Sequence, residues 1–264
     1  MEKWQQFEED CYLFLKKNYS KKGIQFIKYG SADSTCPDIK VELNNNISFC
    51  IETKGNNAQC GQFVLIPDEK TKSFIFSEHN KSNCNKYSMS IIEHMNLNFD
   101  IYRNAGTKGQ KIDMPSKVFF CWIMNYYTSK SVKFFITKKN DFIIFPVEKL
   151  DRYFDVTATY RMKKSGSANP SAINQKEVIK TLSNWGCKFS MTNFTRGFFI
   201  ITSENLDDRK IIGDKYNYIF KKETKNKYRV RQLSNTCNSN VIFSISLKRN
   251  QDEEDLKIFE STIR

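Results

Sequence analysis

Apolar side chains recur at three- and four-residue steps through KWQQFEEDCYLFLKKNY (3–19), where Trp4, Phe7, Cys11, Phe14 and Leu15 share one side of a helix. That spacing predicts a first helix with one buried stripe. The period then shortens to two. GIQFIKYG (23–30) reads as a strand, and residues 38–43 and 47–54 read as two more, joined by Asn44, Asn45 and Asn46, which tolerate the positive φ of a tight hairpin. If Leu43 lies opposite Ile47, Val41 meets Phe49, Ile39 meets Ile51 and Asp38 meets Glu52. The odd positions are then all apolar, while Asp38, Lys40, Glu42, Ser48, Cys50, Glu52 and Lys54 share the other face. A slip by one residue would set Ile39 against Cys50 and mix the faces, so the pattern itself selects the register.

Further along, GNNAQCGQ (55–62) reads as a turn, followed by the short apolar runs FVLI and SFIF. SMSIIEHMNLNF (88–99) predicts a helix and NAGTKGQK a loop behind it. KVFFCWIMNYY (117–127), KFFITK (133–138) and DFIIFPV (141–147), rich in aromatic and β-branched residues, predict successive strands. YRMKKSGSANP (160–170) reads as a basic loop leading into the helix NQKEVIKTLSNWG, with Asn174 and Glu177 as its capping box and Gly186 at its end. FTRGFFIIT, KYNYIF, KYRVRQL and VIFSISL predict more strands, and QDEED opens a frayed terminus. The expected fold class is α/β, a mixed sheet flanked by helices in residues 1–150, followed by a basic α+β region in 151–264 that can be continuous with it.

The 264 residues carry a formal charge of +13, and residues 151–250 hold 19 Lys+Arg against 8 Asp+Glu. Such an imbalance points to a polyanionic partner. The opening MEKWQQFEED lacks a signal-peptide pattern and no run is long enough to span a membrane, so an unexported, cytoplasmic chain without membrane partners is expected. The eight cysteines form no CxxC pair and only two histidines accompany them, which fits reduced thiols rather than zinc.

The charged face of the hairpin carries the chemistry. Directly opposed residues have Cβ atoms roughly 4.5–5.5 Å apart, so Asp38 and Glu52 come within reach of one shared cation. Without it one acid should have a raised pKa; a hard ion such as Mg²⁺, which prefers oxygen ligands, would hold both ionised. Lys54, on the same face, can orient a water or help deprotonate it. Metal, water and lysine together suit phosphodiester hydrolysis.

Pro37-Asp38, then Glu52-Thr53-Lys54 beyond a β-hairpin, resembles the signature of the PD-(D/E)XK nuclease superfamily, above all its type II restriction endonucleases. The resemblance covers about residues 3–66 and implies cleavage of double-stranded DNA at a short sequence. It makes Asp38 and Glu52 Mg²⁺ ligands, adds the Thr53 carbonyl as a third, and makes Lys54 the catalytic lysine. It also implies an acid on the first helix, where Glu8 fits best and Glu9 is the fallback. Gln59 and Gln62 lie where some relatives carry a site glutamine on a helix, but Gly61 and Pro67 make a poor helix there.

Arg161, Lys163 and Lys164, with Ser165 and Ser167, suit an arm that meets phosphates and base edges, and KKETKNKYRVR (221–231) adds a second basic run. DNA binding that weakens steeply with salt is expected. Cutting both strands favours a homodimer. His79 and His94 are too few for an HNH-type site, and GTKGQK fails the P-loop spacing. Two other readings stay open: a structure-selective repair or junction nuclease, and a non-catalytic DNA-binding protein.

Overall fold

The computed structural model describes residues 2–29, 36–164, 167–194, 197–234 and 237–264, with the side chains of 163–167 and 235–238 outside the description. The chain begins α1 (Lys3–Tyr19), β1 (Ile24–Lys28), β2 (Ile39–Leu43), β3 (Asn46–Thr53), β4 (Asn57–Asp68), β5 (Ser73–Phe76), α2 (Lys86–Leu97) and α3 (Phe99–Arg103). It continues through β6 (Gln110–Lys111), α4 (Ser116–Thr128), β7 (Val132–Lys138), β8 (Phe142–Pro146), α5 (Leu150–Tyr153) and β9 (Phe154–Lys164). Then come β10 (Ser167–Ala168), α6 (Ala172–Asn184), β11 (Ser190–Phe194), β12 (Gly197–Ile201) and β13 (Lys210–Ile212). β14 (Asn217–Thr224), β15 (Lys227–Leu233), β16 (Cys237–Leu247) and α7 (Glu253–Thr262) complete it. Two compact units result, one of residues 1–161 with 239–264, the other of 162–238. The sequence reading divided the chain near residue 150; by packing, the last strand and helix return to the first unit.

The first unit is built on a mixed sheet of order β1-β2-β3-β7-β8, antiparallel except where β3 runs parallel to β7. Ile39 pairs with Ile51 and Val41 with Phe49, as parity requires. Nearer the turn the register shifts by one, so that Glu42 faces Ile47 and Leu43 faces Asn46. A two-residue turn causes this: Asn44 and Asn45 both take positive φ, 52° and 66°, the geometry that matches strand twist. The odd-numbered apolar face packs with Cys11 and Leu15 of α1 and Phe259 of α7 over Phe134 and Ile136 of β7. On the other side Tyr127 of α4 stands edge-on to Phe135, with ring centroids 5.0 Å apart. β3 is thus covered on both faces from Phe49 to Thr53, whereas Asn46, Ile47 and Ser48 near the turn are exposed.

A second sheet of order β5-β4-β16-β9-β6 belongs to the same unit. Residues 57–68 form one long strand where the sequence suggested a turn, because an irregularity absorbs the glycine. The β4–β16 register breaks between Ile242 and Ser244, opposite Gly61, whose φ is +101°. A Cβ at Gly61 would lie 2.7 Å from Cζ3 of the buried Trp122. Gly61→Ala is therefore expected to destabilise the protein by about 2–4 kcal/mol, read as a lower urea midpoint at unchanged slope.

Three further expectations change. Residues 117–127 form helix α4, not a strand: Phe119, Phe120, Ile123 and Tyr127 recur at helical steps and are buried with Trp122. Composition favoured a strand; periodicity and packing against Phe63 and Phe243 favoured the helix. The expected loop at 160–170 is largely strand, since β9 runs to Lys164. QDEED does not fray. Asp252 caps α7 by accepting from Glu254 N at 3.1 Å, and the buried Asp255 accepts the Tyr153 hydroxyl at 2.8 Å. Acids in a first turn complement the helix dipole.

The second unit is an antiparallel sheet, β11-β12-β15-β14-β13 with β10 beside β15, and α6 on one face. Val178 and Leu182 of α6 pack on Phe198, Ile200, Tyr218, Phe220, Tyr228 and Val230. The N-cap of α6 is Ser171, which accepts from Asn174 N at 3.4 Å, rather than Asn174 itself. Gly186 closes the helix at φ +70° as expected. Among the described residues seven cysteines are free thiols. No helix of the described residues is long and apolar enough to cross a membrane.

Candidate active site

Strand β3 ends at the site. The register that sets Ile39 against Ile51 brings Asp38, just before β2, beside the last residues of β3. There Asp38 Oδ2 accepts hydrogen bonds from both the backbone N and the Oγ1 of Thr53, each at 2.7 Å. Lys54 N donates to Ile136 O at 3.0 Å, prolonging the β3–β7 ladder, so Glu52 and Lys54 stay on one side of an extended segment. The Lys54 ammonium donates to Glu52 Oε1 at 2.6 Å. Glu52 is 6% exposed, which removes this pair from the class of surface salt bridges.

Glu8 projects from α1 one turn before the buried Cys11 and belongs to the same electrostatic cluster. Partial burial and repulsion from Asp38 push its carboxyl up to about 7, Lys54 and Lys28 pull it back, and Glu52 adds to the repulsion. Glu9 points elsewhere and pairs with Lys28 at 2.6 Å. Burial raises Glu52 as well, with Lys54 opposing and Asp38 reinforcing the shift. Burial would lower Lys54, but attraction to Glu52 and Asp38 outweighs it and holds the lysine protonated.

Three carboxylates around one ammonium form an oxygen-rich, anionic site. Among the described residues the second oxygens of Asp38 and Glu52 make no hydrogen bond, although no three acid, histidine or cysteine side chains already converge at metal-ligand distance. The oxygen donors of Asp38 and Glu52 have the chemistry that suits a hard divalent cation.

The raised Glu8 pKa has a measurable consequence. Between the ordinary value of 4.5 and about 7 the folded protein keeps a proton that the unfolded chain has lost, so stability falls as pH rises through that window. Glu8→Gln should therefore raise the thermal midpoint of the metal-free protein at about pH 8 and leave it nearly unchanged at about pH 4.5. Melting both proteins in EDTA at each pH checks this; an equal difference at both would contradict it.

Several neighbours of Lys54 escaped the sequence reading. The Tyr127 ring lies 5.6 Å from the Lys54 ammonium and 5.7 Å from that of Lys130. Lys130 also donates to the Tyr126 hydroxyl at 2.5 Å. Cys60 is fully buried beside Lys54, and burial pushes its thiol up to about 12, which makes it inert. Tyr127 could have been found only by reading 117–127 as a helix. Gln59 and Gln62 lie on β4 and bond to each other at 3.0 Å. Arg161 lies on β9 in the first unit, its Nε buried and without a hydrogen-bond partner among the described residues. Ser165, and the side chains of Lys163, Lys164 and Ser167, lie outside the described residues.

No protein-family model matches the chain, and no curated protein does. Among solved structures it is similar to HhaI endonuclease in complex with DNA, at 44% identity over 99% of this chain and 99% of that one, with a TM-score of 0.71.

Proposed function

The chain belongs to the type II restriction endonucleases of the PD-(D/E)XK superfamily, and from that premise we propose that it hydrolyses double-stranded DNA at a short sequence with Mg²⁺ held by Asp38, Glu52 and the Thr53 carbonyl. It is a site-specific endonuclease. The observation that carries the assignment of residues is a pair of short contacts: Asp38 to Thr53, which joins the two arms of the hairpin, and Lys54 to Glu52 at the end of β3 beside it.

When bound, the cation supplies Lewis acidity toward the phosphoryl group and lowers the pKa of water. Everything else falls to the chain. Asp38, fixed by two hydrogen bonds from Thr53, keeps one oxygen in place without having to reorganise. Lys54, protonated and braced by Glu52 and the Tyr127 ring, offers its ammonium to the charge that grows on the phosphoryl oxygens and to the attacking water. Glu8 changes protonation near neutrality, the range in which a carboxylate can accept the proton the water sheds.

The second unit, with 15 Lys+Arg against 6 Asp+Glu, is read as the DNA-recognition part, and Arg161, Lys163, Lys164, Ser165 and Ser167 are read as DNA contacts with it. A homodimer would cut both strands together, and free thiols fit a cytoplasmic enzyme. Digestion of a plasmid of known sequence in Mg²⁺ tests the reading. Discrete fragments are expected; a smear, cutting confined to branched DNA, or intact plasmid would contradict it.

A further inference from the structure

Resting on the reading of duplex DNA as the partner, we propose that the face of the second unit's sheet turned away from α6 grips the DNA backbone, with Lys227 and Arg229 held over a phenylalanine pair as its phosphate contacts. Alternation fixes which side chains are there. Phe198, Ile200, Tyr228 and Val230 fill the core beneath α6, so Phe199, Ile201, Lys227 and Arg229 face the opposite way. The register sets Phe199 against Arg229 and Ile201 against Lys227, and Arg229 against Lys221 on the next strand. Cations and apolar rings therefore alternate across one surface.

Among the described residues neither phenylalanine of this face belongs to the core beneath α6. Phe194 and Phe199 lie 4.7 Å apart between centroids, outside the core. Gly197 makes the arrangement possible: a Cβ there would come within 2.6 Å of Phe194 Cζ. Above the rings sit the Lys227 ammonium, 4.1 Å from Phe199, and the Arg229 guanidinium, 5.2 and 5.5 Å from Phe194 and Phe199. Long basic side chains ordinarily lose rotamer entropy when a ligand fixes them. Cation–π contacts that hold them in the free protein reduce that loss.

Opposing charge on this face is modest. Glu223 Oε1 lies 2.7 Å from Arg229 Nε, and Asp208 pairs with Lys221. The Lys221 pair is exposed and of the weak, screened kind that a polyphosphate can displace; Arg229 Nε is itself buried, and the guanidinium makes no second ion pair among the described residues. Lys227 makes no ion pair among the described residues. With 15 basic against 6 acidic residues in 162–238, charge complementarity favours a polyanion over an acidic patch on a protein.

The test is the salt dependence of duplex binding, measured by fluorescence anisotropy in EDTA so that no strand is cut. For Lys227→Ala/Arg229→Ala the slope of log Kd against log salt should become shallower by about 2, equally on cognate and unrelated duplexes. Lys227→Arg/Arg229→Lys should retain the wild-type slope, and Phe199→Leu should weaken binding at a nearly unchanged slope. Circular dichroism of each variant verifies the fold. A wild-type slope in the double alanine variant overturns the proposal. So does a loss confined to the cognate sequence, or a wild-type preference for single strands that the double variant abolishes. Failure of the wild type to cut DNA in Mg²⁺ would remove the nuclease reading while leaving this measurement decisive for the surface.

Discussion

Lys54→Met lowers the single-turnover rate of duplex cleavage by about 10²–10³-fold, the effect of removing one preorganised donor from a developing oxyanion. Duplex affinity in EDTA should change far less, because Lys54 is 16% exposed and already engaged with Glu52. The variant isolates charge from bulk, since methionine keeps most of the aliphatic stem beside Tyr127. It also removes the cation that offsets a buried carboxylate. Breaking a buried pair from one side costs about 3–5 kcal/mol, unless Glu52 takes up a proton, toward which its raised pKa already leans. Lys54→Met should therefore be less stable than wild type at alkaline pH, and Glu52→Gln/Lys54→Met more stable than Lys54→Met alone. Rate measurements under saturating enzyme and urea titrations separate the two consequences. Cleavage at the wild-type rate in a folded Lys54→Met protein would take the lysine out of the reaction.

The second large effect is expected at Asp38. Asparagine can still accept from Thr53 N, so Asp38→Asn should fold, yet it removes half the anionic charge offered by the hairpin. Divalent-ion assistance is worth several kcal/mol of transition-state stabilisation, about three decades in rate at 1.36 kcal/mol per decade. Cleavage should fall by about 10³-fold or more, with only partial recovery at high Mn²⁺. If Asp38→Asn instead cut at near the wild-type rate in ordinary Mg²⁺, its carboxylate would be structural, a clamp on Thr53 and nothing more.

The hairpin was legible because strand parity leaves few choices. With Ile39, Val41, Leu43, Ile47, Phe49 and Ile51 all apolar, parity favours the register that pairs Ile39 with Ile51 and Val41 with Phe49, and that part of the ladder places Asp38 beside the end of β3, although Ile47 near the turn stays exposed. The bulge at Val41/Glu42 was not legible, since it depends on the turn using two asparagines rather than three. The spacing to Cys11 and Leu15 favoured Glu8 with Glu9 as the fallback, and sequence alone did not decide between them; in the structure Glu9 pairs with Lys28. Tyr127 was lost because aromatic content outweighed helical period in residues 117–127. Strand β4 was hidden by a glycine that marks a bulge inside it, not an end. At α7 an acidic run looked like a solvated tail, although acids in a first turn are what a capped helix favours. The phenylalanine shelf depends on which strands neighbour one another, and that order is written in no local pattern.

Anomalous scattering from a crystal grown with Mn²⁺ puts the central claim to its most direct test. One strong peak is expected at about 2.0–2.3 Å from a carboxylate oxygen of Asp38 and another of Glu52, with the Thr53 carbonyl alongside. A peak elsewhere, with Asp38 and Glu52 both bare at saturating Mn²⁺, would contradict it.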